Sequence, residues 1–415
     1  MLRTGPKSIA VLIALFAFCT CIDPYFPKLD KYESLMVIDG LITNANSAYT
    51  VKLSRTFQEQ NSGFSGISDA TVFISDDKGE KSYLINTGNG IYKTDSTEFR
   101  GVVGRTYVLH ILTGENNEYE SEPCVMLPVP DIDSIYIAKD QKLVNNNTES
   151  QEGVSIYLDS KGGDINRYYR WTYDETWKIE VPTPKNFNYV KGPNPNDPIF
   201  VAVADVKDVC WKKRQSDEIL IRSVNEGQTE KIEKQPVFFI ATEKSDRLLL
   251  QYSILVKQYS ISKNEYEFWN NLKQVNETGS DIFARQPYTV ISNIHSSKNP
   301  EERVLGFFQV SAVSQKRKNI PYRDVALMGL HFYSYPCKIW EFEPGDFETI
   351  CRCPPKTWDD VYWYLSIVSD YTFIEPKLNL AEDSLLKLVF TRPECADCTV
   401  AGTHVKPDFW DEFNN

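Results

Sequence analysis

The residues with the most evident chemistry are cysteines at close spacing, Cys395-Ala-Asp-Cys398 and Cys351-Arg-Cys353. A CxxC pair exchanges disulfides when a helix start lowers its thiolate pKa, and two close pairs hold the four sulfurs of a tetrahedral zinc site. Here Pro393 precedes the CxxC and a strand-like run, LLKLVFTR, leads into it, an approach that argues against redox chemistry. In an exported chain, disulfides are favoured over a thiolate metal site. The expected role is therefore structural, with Cys351, Cys353, Cys395 and Cys398 stapling C-terminal loops to one another and to Cys210 or Cys337. His404 lies close enough in sequence to add a ligand, but a single loop histidine is ordinarily solvated.

Other reactive constellations are sparse. The four histidines are His110, His295, His331 and His404, and the chain has no HExxH, no GxSxG and no P-loop, the common signatures of zinc proteases, serine hydrolases and phosphate-cradling NTPases. No catalytic residue, metal site or cofactor is assigned. Asp76, Asp77 and Glu80 lack calcium-loop spacing and read as a charged hairpin tip. Trp358, Tyr362 and Trp363 form the densest aromatic segment. They are candidates for stacking on sugar faces or anchoring a protein interface, with burial in a core as the competing reading. Residues 182–198 hold five prolines and read as a long surface loop.

Elements that position these residues follow from the N-terminus onward. Arg3 and Lys7 precede the apolar run Ile9 to Phe18, which is too short for a bilayer crossing of about 20 residues and reads as an export signal over residues 1–20. Cys21 follows the small Thr20, whereas Cys19 follows the bulky Phe18, so Cys21 is the expected lipidation site. Residues 21–33, with Pro24 and Pro27, read as an extended tether. From Leu35 to Leu127, seven runs alternate apolar and polar residues (LMVIDGLIT, AYTVKLSRTF, ATVFISD, KSYLIN, GIYKTD, TYVLHILT and YESEPCVML), with turn residues between them. That spacing predicts an immunoglobulin-like sandwich over 34–130, closed by the prolines of Leu127-Pro128-Val129-Pro130. Residues 131–415 read as a larger β-rich domain with one amphipathic helix near 262–276, opened by Ser262 and Glu265 in capping-box spacing and ending in the cysteine-rich part. The fold class is mainly β.

Composition agrees. Of 415 residues 13% are aromatic, and the net charge of −12 becomes −14 once Arg3 and Lys7 leave with the signal. A chain this acidic is unsuited to nucleic acid, whose phosphates require Lys and Arg. With Cys19 removed and Cys21 acylated, seven of the nine cysteines remain, so at least one thiol stays free or pairs with a partner.

Four stretches together carry a family resemblance: CIDPYFP with LMVIDGLIT and YTVKLSRT, YSILVKQYSISKNEYEFWNNL, NPEERVLGFFQVSAVSQKR, and ECADCTVAGTHVKPDFW. The chain resembles the Bacteroidota lipoproteins of domain-of-unknown-function family 4249. That resemblance implies an outer-membrane lipoprotein encoded beside a TonB-dependent receptor, and it supplies no catalytic residue or ligand. The expected function is a non-enzymatic accessory partner of that receptor barrel in substrate capture or uptake. The alternatives are a surface hydrolase with an unrecognised carboxylate site, or a free-standing glycan- or peptide-binding lipoprotein.

Overall fold

The computed structural model describes residues 34–56, 65–144, 149–162, 167–224, 231–278, 290–346, 356–379 and 384–410. The signal, Cys21, the tether, Cys351 and Cys353 lie outside these residues. The fold is mainly β, with strands in six sheets and few helices among the described residues.

The seven alternating runs all form strands, because their period of two gives each a buried face. Met36–Ile42 buries Met36, Ile38, Gly40 and Ile42, and Thr106–Leu112 buries Tyr107, Leu109 and Ile111. They build two sheets around one core of Met36, Ile38, Val51, Leu53, Val72, Ile74, Tyr107, Leu109 and their neighbours. The KSYLIN run splits at the buried Leu84, with Lys81–Tyr83 in one sheet and Ile85–Asn86 in the other.

This first sandwich is not contiguous in sequence, which corrects the expected limits of 34–130. Val304–Val310 pairs in parallel with Met36–Ile42, and Ile294–Ser296 pairs with Glu118–Ser121. Their residues Ile294, Val304, Phe308 and Val310 belong to the same core. The parallel pair requires a glycine at 306, where φ is +94° and a Cβ would lie 1.8 Å from the Ile38 carbonyl oxygen. No other residue combines that left-handed backbone with so close an approach.

After Ser311–Ala312 the chain passes directly into a second sandwich. Its long strands Tyr168–Glu180, Gln251–Ser260 and Val313–Pro321 pair in one sheet with Val209–Gln215, while Ile132–Val144, Glu149–Lys161 and Lys231–Ala241 form the other. Trp171, Tyr169, Ile254, Val256 and Leu158 are wholly buried between them. The proline linker is pinned at the junction. The Ser260 hydroxyl donates to the Pro128 carbonyl at 2.7 Å, and the Gln258 amide to the Pro130 carbonyl at 2.9 Å.

The helix near 262–276 is present as Lys263–Thr278. Ser262 caps it by accepting from the Glu265 N–H at 3.1 Å. The Glu265 side chain turns instead into the junction between the sandwiches, where it is 2% exposed.

A third, smaller unit joins Trp340–Phe342, Thr372–Asn379 and Ser384–Thr391 in one sheet with the helix Trp358–Trp363. The expected proline loop contributes a hairpin to it, Phe187–Val190 with Ile199–Ala202. The alternation Phe187-x-Tyr189 across from Phe200 carries that hairpin, since these rings pack on the unit's core of Phe373, Phe390 and Leu388.

Candidate functional site

Sequence reasoning singled out the C-terminal cysteines, and the structure brings four of them together as two bridges. Cys210 is bonded to Cys398, and Cys337 to Cys395. The two sulfurs of the CxxC thus point to different partners, because Pro393–Ala396 is one helical turn and Cys398 begins the next. This leaves those sulfurs no shared redox pair and no thiolate to give a metal. Cys210, Cys398 and His404 do converge within 4.8 Å, but both sulfurs are in the bridge. The His404 ring meets the Val209 carbonyl at 2.8 Å and Asp205 at 3.5 Å. Cys124 is the one free cysteine among the described residues.

The Cys210–Cys398 bridge fastens the segment after the third unit's last strand to the second sandwich. The Thr183 and Lys185 amides donate to the Cys395 and Ala396 carbonyls, the Cys398 amide donates to the Lys207 carbonyl, and Trp211 exchanges two backbone bonds with Thr403. Beside Cys337–Cys395 lies a cavity of about 340 Å³ lined by Lys212, Asp246, Arg247, Tyr333, Tyr335 and their neighbours, within the usual range for ligand clefts. A second cavity of about 330 Å³ shares Ile179, Glu180, Val181 and Tyr335 with it.

Two carboxylates in and beside this cleft are paired with cations. Asp246 accepts from Lys212 Nζ at 2.7 Å and from the Trp177 indole at 2.9 Å. Glu175 accepts from Arg247 at 2.6 and 3.3 Å and from the Tyr252 hydroxyl at 2.9 Å. Burial, reinforced by Asp246, pushes the Tyr335 phenol above its ordinary range, and burial with Glu175 does the same to Tyr252. These phenols stay protonated and donate hydrogen bonds.

The candidate aromatics divide. Tyr362 stacks on Tyr189 with centroids 4.1 Å apart, and Trp358 packs on the third unit's core. Trp363 is 55% exposed. Their helix starts at Thr357, whose hydroxyl and the Asp360 carboxylate satisfy each other's backbone N–H groups. The spacing Thr357-x-x-Asp360 was the available signal for that helix.

A family model described as a domain of unknown function (DUF4249) matches residues 22–317. The chain belongs to this family. The DUF4249 match spans nearly all of both sandwiches and ends within the strand Val313–Pro321, so ECADCTVAGTHVKPDFW lies beyond it. No curated protein matches the chain. A solved structure described as "Biofilm associated protein - BSP domain" is 7% identical, covers 71% of this chain and 62% of its own, and has a TM-score of 0.11, which carries no argument.

Proposed function

We propose that this DUF4249 protein is a lipid-anchored, non-enzymatic accessory partner of a TonB-dependent receptor in the outer membrane, acting in substrate capture or uptake. The resemblance to Bacteroidota lipoproteins supplies the kind of partner. The observation that carries the reading is the third unit's surface. Val190 and Ile199 are cross-strand partners and are 42% and 50% exposed, with Val201 on the same face of the hairpin. Trp363, Ile367 and Val368 are also more than half exposed, while the rings beneath them are buried. Apolar side chains held outward on a folded unit are what a protein interface requires.

Replacing Trp363 and Ile367 together with Asp should shift folding stability by no more than about 0.5 kcal/mol per site, as is usual for exposed positions, while abolishing receptor association. Unchanged association would move the interface elsewhere on the molecule. Anchoring is tested separately. Cys21→Ala should release the protein from the membrane fraction, since among the described residues no helix is long and apolar enough to span a bilayer. Retention of the variant after a high-salt wash would place the anchor outside Cys21.

A further inference from the structure

The hairpin of the third unit is a sheet of two strands, and Ile199–Ala202 pairs with Phe187–Val190 alone among the described residues. Its register fixes where its backbone points. The Val203 N–H donates to the Asn186 carbonyl at 2.9 Å, so Phe187 with Ala202, and Tyr189 with Phe200, are the facing pairs that do not hydrogen-bond to each other. The N–H and C=O groups of Phe200 and Ala202 therefore point away from the hairpin. None of the four has a hydrogen-bond partner among the described residues, which leaves two donors and two acceptors along a free edge.

Exposed sheet edges are ordinarily guarded by charge, proline or a bulge. Both edges of the larger sheet in the second sandwich carry charge, with Lys212, Lys213 and Arg214 on Val209–Gln215 and Lys316, Arg317 and Lys318 on Val313–Pro321. Residues 199–204 read IFVAVA, with no charge and no proline, and no register shift interrupts the hairpin. Ile199 and Val201 stand exposed on one face. The edge is also held in place by the neighbouring helix, since the Tyr189 hydroxyl donates to Asp359 at 2.7 Å and the Asp359 N–H to the Pro195 carbonyl at 3.1 Å. An extended chain with apolar residues at alternate positions complements both features, pairing its backbone with Phe200 and Ala202 and laying side chains beside Ile199 and Val201.

We propose that the TonB-dependent receptor docks by adding an extended strand to Ile199–Ala202. This rests on the accessory-partner function proposed above and names the contact that makes it. A second copy of the chain pairing edge to edge would meet it through four residues a side, against about 20–30 in a stable interface. A barrel that contributes one strand can cover the exposed apolar face beside it as well.

The test is amide hydrogen exchange of the full-length chain, alone and in complex with the TonB-dependent receptor encoded beside it. In the free protein the Phe200 and Ala202 amides should exchange fast and those of Val201 and Val203 slowly, and the complex should slow Phe200 and Ala202 by about tenfold or more. Ala202→Pro removes an N–H that the hairpin does not use. It should weaken receptor association about tenfold, the upper end for one lost backbone hydrogen bond, whereas Ala202→Ser, which keeps the N–H, should leave association unchanged. Slow exchange at Val201 and Val203 in the proline variant shows that its hairpin stands. A wild-type complex in which Phe200 and Ala202 still exchange fast would overturn strand addition and leave the partnership standing; no association of the wild type with the barrel would overturn both. Self-association of the purified chain that Ala202→Pro abolishes would assign the edge to a second copy and overturn the proposal. The exchange comparison uses the wild type and decides even if the proline variant does not fold.

Discussion

Expressed alone, residues 34–130 should give no cooperative melt, although they contain all seven alternating runs of the first sandwich. The fragment lacks Val304–Val310, which pairs along the whole length of Met36–Ile42, and Ile294–Ser296, which pairs with Glu118–Ser121. Without them Met36, Ile38 and Ile42, each fully buried in the whole chain, lose the partners that cover them, and a free backbone edge is exposed. In the intact protein the same dependence appears as a point mutation. Phe308 is fully buried, so Phe308→Ala should cost about 3–5 kcal/mol, the usual figure for a core phenylalanine. A β-type circular dichroism spectrum with a sharp melt from residues 34–130 alone would show that the inserted strands are dispensable.

The second large effect is expected from the bridges. Cys210–Cys398 closes 188 residues of sequence, against 58 for Cys337–Cys395. Restriction of the unfolded chain grows with loop length, giving an upper figure of about 5 kcal/mol for the longer loop, with about 2–4 kcal/mol typical of measured bridges. The pair Cys210→Ser with Cys398→Ser should therefore lower the melting temperature more than Cys337→Ser with Cys395→Ser. Thermal melts of the two double variants decide the order. Alkylation of the denatured, unreduced mature chain should label no more than three thiols, those of Cys124, Cys351 and Cys353. More than three would show that a bridge is open.

Local pattern explains which parts of this arrangement were legible. Strand alternation is written residue by residue, so the seven N-terminal runs and the helix opened by Ser262 could be read directly. The partnership of Met36–Ile42 with Val304–Val310 could not, because parallel pairing across more than 260 residues leaves no local mark. RVLGFFQVSAVSQ was readable as strand, but nothing in it announces that the break at Ser311–Ala312 sends its halves to different sandwiches. Prolines masked the hairpin of Phe187, Tyr189 and Phe200, whose aromatic alternation was the stronger signal.

Site residues follow the same logic. A structural role for Cys395 and Cys398 followed from the strand before them and the expected export, while the choice of Cys210 and Cys337 as separate partners needed three-dimensional proximity. Glu265 was misread because capping-box spacing accounts for a glutamate at that position; only burial reveals that its carboxylate turns away from the helix start. Arg247, Glu175 and Asp246 carried no motif at all. Glu175 lies on Tyr168–Glu180 while Asp246 and Arg247 lie on the turn Asp246–Leu248, and they meet only when these two elements pack together.

The accessory-partner reading rests most directly on what accompanies the protein out of the membrane. Affinity purification of the full-length wild-type chain from detergent-solubilised outer membrane, followed by mass spectrometry of the stoichiometric bands, should recover a TonB-dependent receptor barrel at about one copy per chain. Recovery of the protein alone, under detergent conditions that keep other receptor–lipoprotein pairs together, would contradict it.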